Sequence, residues 1–146
     1  RAGFVGEDGE PHQGLFDVSM LTSIPGITVF SPSDASSLRN TLYKSIYECD
    51  GVVIVRYPKG YSINNNYSEF HSFVYSGKQN EVLLVSYGRV SNNITDIKNT
   101  DCLILNQICP FENDVIDIKY SIHGFLDCNG GQIYCYSALI IYRVYK

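Results

Sequence analysis

The first fourteen residues, Arg1-Ala2-Gly3-Phe4-Val5-Gly6-Glu7-Asp8-Gly9-Glu10-Pro11-His12-Gln13-Gly14, place four glycines among a guanidinium, three carboxylates and an imidazole. Glycine accepts turned and left-handed backbone at little steric cost, so main chain here can approach a ligand while the charged groups between the glycines converge. His12 titrates near neutrality when unperturbed, which suits it to proton traffic or to hydrogen bonding a substrate oxygen. Asp8 can accept a hydrogen bond from a substrate hydroxyl, whereas Glu7 and Glu10 read as exposed rim charges. Arg1 offers a permanently charged planar fork that can grip a phosphate through two parallel bonds. The plain alternative is a turn-rich surface loop, because Gly, Asp and Pro clusters usually mark turns. His71 and His123 stand in no motif and read as incidental.

The elements that must position this rim follow it directly. Leu15 to Leu21 reads as a short helical turn, and Ile27, Val29 and Phe30 as a brief strand between Pro25-Gly26 and Pro32. Ser33 is then the expected N-cap of a helix, with Asp34 in its first turn. Leu38, Leu42 and Ile46, spaced by four, predict one apolar face for that helix. Asp50-Gly51 closes it. The run Val52-Val53-Ile54-Val55 predicts a strand buried on both faces of a parallel sheet. Arg56, at the end of that strand, lies where such sheets place their ligands, and reads either as a ligand contact or as a structural, supporting residue. Strand, helix and strand together make an α/β unit.

Residues 60 to 80 lose this periodicity, and a domain boundary is expected there, with an added strand near Phe73-Val74-Tyr75. Val82 to Tyr87 and Cys102 to Leu105 predict two further strands. The connection Val90 to Thr100, rich in Asn, must cross between them. Pro110 is placed to open a helix. His123 to Leu126 is expected as a last strand, and Ile133 to Tyr145 as a closing helix.

Composition excludes several classes. The 146 residues carry 11 Lys and Arg against 15 Asp and Glu, a net charge of −4, and the basic residues form no block, which argues against nucleic-acid binding. The most apolar stretch, Tyr134 to Val144, is too short to span a bilayer. Five cysteines without a C-x-x-C pair argue against a zinc site and against a disulfide framework. Most of them read as small core residues, in a reducing compartment. No metal site is expected from these residues.

The run Arg1 to Gly14, with Gly6-Glu7-Asp8-Gly9 and His12-Gln13 at its centre, resembles the 1-deoxy-D-xylulose-5-phosphate synthase family. Phe16-Asp17, Ser31-Pro32-Ser33-Asp34 and Arg56-Tyr57-Pro58-Lys59-Gly60 follow in matching order and spacing. The family is a branch of the transketolase-like thiamine diphosphate enzymes. Beyond residue 60 the likeness thins to Tyr87-Gly88-Arg89, Pro110-Phe111-Glu112 and Gly130-Gly131. The resemblance implies an α/β fold with a parallel sheet. Residues 1–60 would be the later part of a transketolase-like pyrimidine-binding domain, 61–80 a linker, and 81–146 a truncated transketolase C-terminal-like α/β domain.

For function, the resemblance implies a transferase that condenses pyruvate with glyceraldehyde 3-phosphate, with loss of carbon dioxide, in isoprenoid precursor, thiamine and pyridoxal biosynthesis. His12 and Asp8 would be catalytic, with His12 also at the cofactor. Arg1, Lys59 and Arg56 would bind substrate, Lys59 standing where the family commonly has the arginine that is the stronger phosphate contact. Lysine keeps the charge there and loses the fork. Pro11 replaces a usual threonine. The cofactors implied are thiamine diphosphate and Mg²⁺ in the parent enzyme, although the main motifs that bind them are absent from these residues. The chain would then be a fragment, inactive alone, that depends on a missing N-terminal portion within a homodimer. A bacterial cytoplasm is expected, or an organelle of plastid descent. The competing reading is a truncated, non-catalytic paralogue acting as a binding or structural module, which Pro11, Lys59 and the weak crossover favour.

Overall fold

A computed structural model describes residues 14, 16–57, 68–78, 80, 82–110, 132–136 and 139–143. The expected helix from Pro110, the strand at 123–126 and the residues around Gly130 lie outside them.

The first half builds α1 (Asp17–Thr22), β1 (Ile27–Phe30), α2 (Ala35–Tyr47) and β2 (Val52–Val55). β1 and β2 run parallel, with Ile27 opposite Val52 and Phe30 opposite Val55. This is the expected strand, helix, strand unit. The N-cap of α2 is Asp34, however, and not Ser33. Asp34 sits in extended backbone, its Oδ1 accepts the Ser37 amide at 2.8 Å, and Ser37 Oγ accepts the Asp34 amide at 3.0 Å. A reciprocal capping box fixes the start of the helix, with Ser37 in the place usually held by Glu or Gln.

Two expectations about burial are corrected. Helix α2 buries Ser36, Ser37 and Thr41, while Leu42 and Ile46 are 44% and 69% exposed. The buried side chains are small, and capping has already satisfied the polar groups of the first turn. β2 is not buried on both faces: Val52 is 59% exposed, because β2 lies at the edge of its three-stranded sheet, ordered β2-β1-β6.

The later half contributes β3 (Phe73–Ser76), β4 (Val82–Tyr87), a 3₁₀ helix (Gly88–Asn93), β5 (Asp101–Leu105), β6 (Gln107–Cys109), β7 (Gln132–Tyr136) and β8 (Leu139–Arg143). β3, β5, β4, β8 and β7 form a sheet in that order, in which β4 and β5 are parallel neighbours and the other described pairs are antiparallel. Residues 88–100 supply the crossover that parallel pairing requires, by 3₁₀ helix and turns. The closing helix expected from Ile133 to Tyr145 is replaced by β7 and β8, an antiparallel pair with Tyr134 opposite Ile141. Aromatic and β-branched residues crowd this stretch, and they fit a pleated sheet better than a helix surface.

β5 is buried along its whole length between β3 and β4. Leu83, Leu103 and Leu105 pack with Phe73, Val85 and Tyr87, and Leu84, Ile94 and Cys102 pack with Val82. Burial pushes the Cys102 thiol up, and its Sγ donates to the Ile94 carbonyl at 3.3 Å. This cysteine is a core residue.

The two halves are joined by backbone. β6 comes from the later half and pairs antiparallel with β1. The Ser31 amide donates to the Asn106 carbonyl at 2.7 Å, and the Gly88 amide donates to the Ser31 carbonyl at 3.1 Å. Phe30 meets Phe70 edge to face at 5.4 Å. Residues 29 to 34 are therefore wholly enclosed.

Candidate functional site at the strand ends

Three strands deliver their C-terminal ends to one place. β1 ends at Phe30 and continues into Ser31, β2 ends at Val55 and continues into Arg56, and β4 ends at Tyr87. The C-terminal ends of parallel strands are where α/β sheets hold ligands, because the loops that leave them are free to vary.

Arg56 organises this junction. Its backbone amide donates to the Phe30 carbonyl at 2.9 Å, extending the β1–β2 pairing by one residue. The side chain, 7% exposed, turns towards the start of the chain. Nε donates to Asp17 Oδ2 at 2.6 Å and Nη2 to Asp17 Oδ1 at 3.1 Å. Nη2 also donates to the Gly14 carbonyl at 3.2 Å, and Nη1 to Ser31 Oγ at 3.3 Å. The guanidinium carbon stands 5.4 Å from the centre of the Tyr87 ring, within reach of a cation–π interaction. A buried guanidinium must have its charge balanced and its donors occupied, and this set does both.

Asp17 opens α1 and Gly14 ends the glycine-rich run, so one side chain holds both ends of residues 14–17. Ser31 is fixed by its two backbone bonds to the later half. Gly88 has a positive φ of 67°, and an added Cβ would stand 3.1 Å from Ser31 Oγ. Glycine is needed at that point for backbone conformation and for space together.

Of the residues expected at the site, Arg56 is the one described. Arg1, Asp8, His12 and Lys59 lie outside the described residues. Asp17, Ser31 and Tyr87 are its partners, to which the sequence assigns no role. The signal for them is present in Phe16-Asp17, in Ser31-Pro32-Ser33-Asp34 and in Tyr87-Gly88, which match the family without any chemistry of their own to point at. His71 offers its backbone carbonyl to Asn106 Nδ2 at 2.9 Å. Among the described residues no three His, Cys, Asp or Glu side chains gather as metal ligands. No helix among the described residues is long and apolar enough to cross a membrane.

Comparison with known proteins bears on the same stretch. Residues 1–62 match the family model described as the transketolase pyrimidine-binding domain. The 1-deoxy-D-xylulose-5-phosphate synthase of Chlorobium luteolum is 52% identical over 62 residues, which cover 42% of this chain and 10% of that protein. Residues 1–62 are transketolase-like.

The synthase of Chlorobaculum tepidum is 50% identical to this chain over 60 residues, 41% of the chain and 9% of the relative. That of Helicobacter pylori is 36% identical over 118 residues, 73% of the chain and 19% of the relative. An alignment covering 73% of the chain cannot end at residue 62, so likeness to a synthase continues past the transketolase-like segment. Residues 96–144 also match a second family model, described as sporulation protein Cse60. The chain spans between 9% and 19% of the length of these relatives. Within the transketolase-like segment, Gly14, Asp17, Ser31 and Arg56 form the described half of the candidate site.

Proposed function

We propose that this chain is part of a 1-deoxy-D-xylulose-5-phosphate synthase, a transferase of transketolase type that condenses pyruvate with glyceraldehyde 3-phosphate and releases carbon dioxide. The observation that carries this reading is the 52% identity of the transketolase-like segment to a protein of that name. In the whole protein, thiamine diphosphate with Mg²⁺ supplies the carbonyl chemistry. Its metal and diphosphate are held by residues outside those described.

Arg1 and Lys59 take the phosphate of glyceraldehyde 3-phosphate, Arg1 through a bidentate fork and Lys59 as a point charge. His12 handles a proton or hydrogen-bonds the substrate oxygen near the cofactor, and Asp8 receives a substrate hydroxyl. The same reading takes the whole protein to be a homodimer of a bacterial cytoplasm or plastid-type organelle, serving isoprenoid precursor synthesis. It takes residues 81–146 to belong to a transketolase C-terminal-like domain.

The test uses the whole protein that carries this chain, supplied with thiamine diphosphate and Mg²⁺. Carboxyl-labelled pyruvate should release labelled carbon dioxide faster when glyceraldehyde 3-phosphate is added. Arg1→Ala and Lys59→Ala should each raise the KM for glyceraldehyde 3-phosphate and leave that for pyruvate nearly unchanged. No release of label sinks the reading. An unaltered KM in both variants sinks the phosphate assignment alone.

A second reading, a non-catalytic module, is favoured by Lys59 in the place of the family's usual arginine and by Pro11 in the place of its usual threonine. It requires that no turnover be found.

A further inference from the structure

We propose that Arg56 is a positioning residue, which acts with Asp17 to hold the backbone at Gly14, two residues along the chain from His12, and that it is not a contact for the substrate phosphate. The proposal rests on the synthase reading for its kinetic consequences, but its structural part does not.

A guanidinium has five N–H donors. Four hydrogen bonds to Asp17, Gly14 and Ser31 already draw on Nε, Nη2 twice and Nη1 once. A bidentate grip on phosphate needs two parallel donors on one edge, and Arg56 has at most one N–H to spare. The Tyr87 ring lies against the guanidinium, and the side chain is almost fully enclosed. Phosphate could reach Arg56 only by displacing Asp17 from a 2.6 Å contact.

The same bonds explain what Arg56 does instead. Gly14 lies two residues after His12, so their Cα atoms are within about 7 Å along the chain. Glycine at 14 contributes no side chain of its own to fix its backbone, and the carbonyl bond from Nη2 supplies that restraint from outside. Asp17 completes the device by pairing with the Nε and Nη2 edge of the planar guanidinium, which fixes its rotation and leaves the other Nη2 hydrogen aimed at the Gly14 carbonyl. Ser31 is anchored to the later half, so Gly14 and Asp17 are referenced through Arg56 to the strand ends.

The experiment compares Asp17→Asn, Arg56→Gln, the double variant, Arg56→Lys and Lys59→Ala in the whole protein, with thermal melts to confirm folding. Asp17→Asn and Arg56→Gln should each lower kcat about tenfold or more, since small misplacements of a reacting group carry large rate penalties. The KM for glyceraldehyde 3-phosphate should stay within about twofold, the pattern of a group that does not bind the ground state. The double variant should be no worse than either single one, because both remove the same restraint. Arg56→Lys, which can keep the ion pair but not all four bonds, should fall between. Lys59→Ala should show the opposite split.

Independently of activity, the NMR titration of the His12 imidazole should shift in Asp17→Asn and Arg56→Gln. Should either variant unfold, Ser31→Ala, which removes a single neutral contact, should move His12 in the same direction by less. A raised KM in Arg56→Gln with normal kinetics in Asp17→Asn would overturn the proposal, as would a His12 titration unchanged in both. A wild-type protein without turnover would end the synthase reading and leave the His12 measurement to decide this one.

Discussion

The Arg56 guanidinium and the Asp17 carboxylate meet side-on through two hydrogen bonds, at 2.6 and 3.1 Å, joining the end of β2 to the start of α1. Removing one partner leaves the other charge without its counterpart. Asp17 keeps some contact with solvent, so Asp17→Asn should cost about 3 kcal/mol, the low end for a buried pair. Urea unfolding followed by circular dichroism checks it, and a loss below about 1 kcal/mol would show that the pair acts as an exposed one does.

Asp101 makes the later half sensitive to acid. Burial by itself would raise its pKa, but bonds from the Tyr75 hydroxyl at 2.8 Å, the Asn80 and Lys78 amides at 3.2 and 3.0 Å, and Asn80 Nδ2 at 2.7 Å hold the carboxyl below its ordinary range. A lowered native pKa stabilises the fold at pH values above the unfolded one, about 3.9. That contribution is lost as pH falls through the native value. Asp101→Asn should cost about 1–3 kcal/mol at neutral pH, because a neutral amide oxygen accepts the three N–H bonds more weakly than a carboxylate does and the new NH₂ cannot accept from the Tyr75 hydroxyl. The difference between wild type and variant should shrink in acid, which stability measured from about pH 7 down to about pH 2 would reveal. A constant difference would count against Asp101 as the titrating group.

Gly88→Ala tests the seam between the halves. The new side chain would sit at a φ of 67° and 3.1 Å from Ser31 Oγ. The left-handed backbone alone should cost about 1–2 kcal/mol. Displacing Ser31 would disturb the acceptor of Arg56 Nη1 as well. A thermal midpoint equal to that of wild type would refute this account.

The burial pattern of α2 separates helix face from core. Ile46→Lys should change stability by no more than about 0.5 kcal/mol, as for an exposed site, whereas Phe30→Ala should cost about 3–5 kcal/mol. Paired denaturation curves suffice. A large loss in Ile46→Lys would show that something covers that face in solution.

Much of the first half is legible because its signals are local. The β-branched run of β2, the short strand of β1 and the capping chemistry before α2 each depend on residues within a few positions of one another. The expected cap falls one residue early because Ser33 and Asp34 are both good caps. The choice belongs to Ser37, whose hydroxyl answers the Asp34 amide. The hydrophobic period of α2 is also real, but period alone does not say which face meets a sheet. Tertiary packing decides that in favour of Ser37 and Thr41. In the later half, the aromatic and β-branched residues of Gln132–Tyr136 and Leu139–Arg143 suit a pleated sheet, and the pairing of β8 with β4 makes them strands where a closing helix is expected.

The sequence alone determined the transketolase-like character of residues 1–62, since glycine, acid and imidazole spacing in Gly6 to Gln13 is a property of the chain and not of its packing. It also placed Arg56 at a strand end. What Arg56 touches was decided only by tertiary structure. A guanidinium that can bind phosphate or carboxylate equally well takes whichever partner the fold brings to it. Bringing Asp17, Gly14 and Ser31 to one point needs β1 beside β2, and β6 beside β1, which are contacts between residues far apart in the chain.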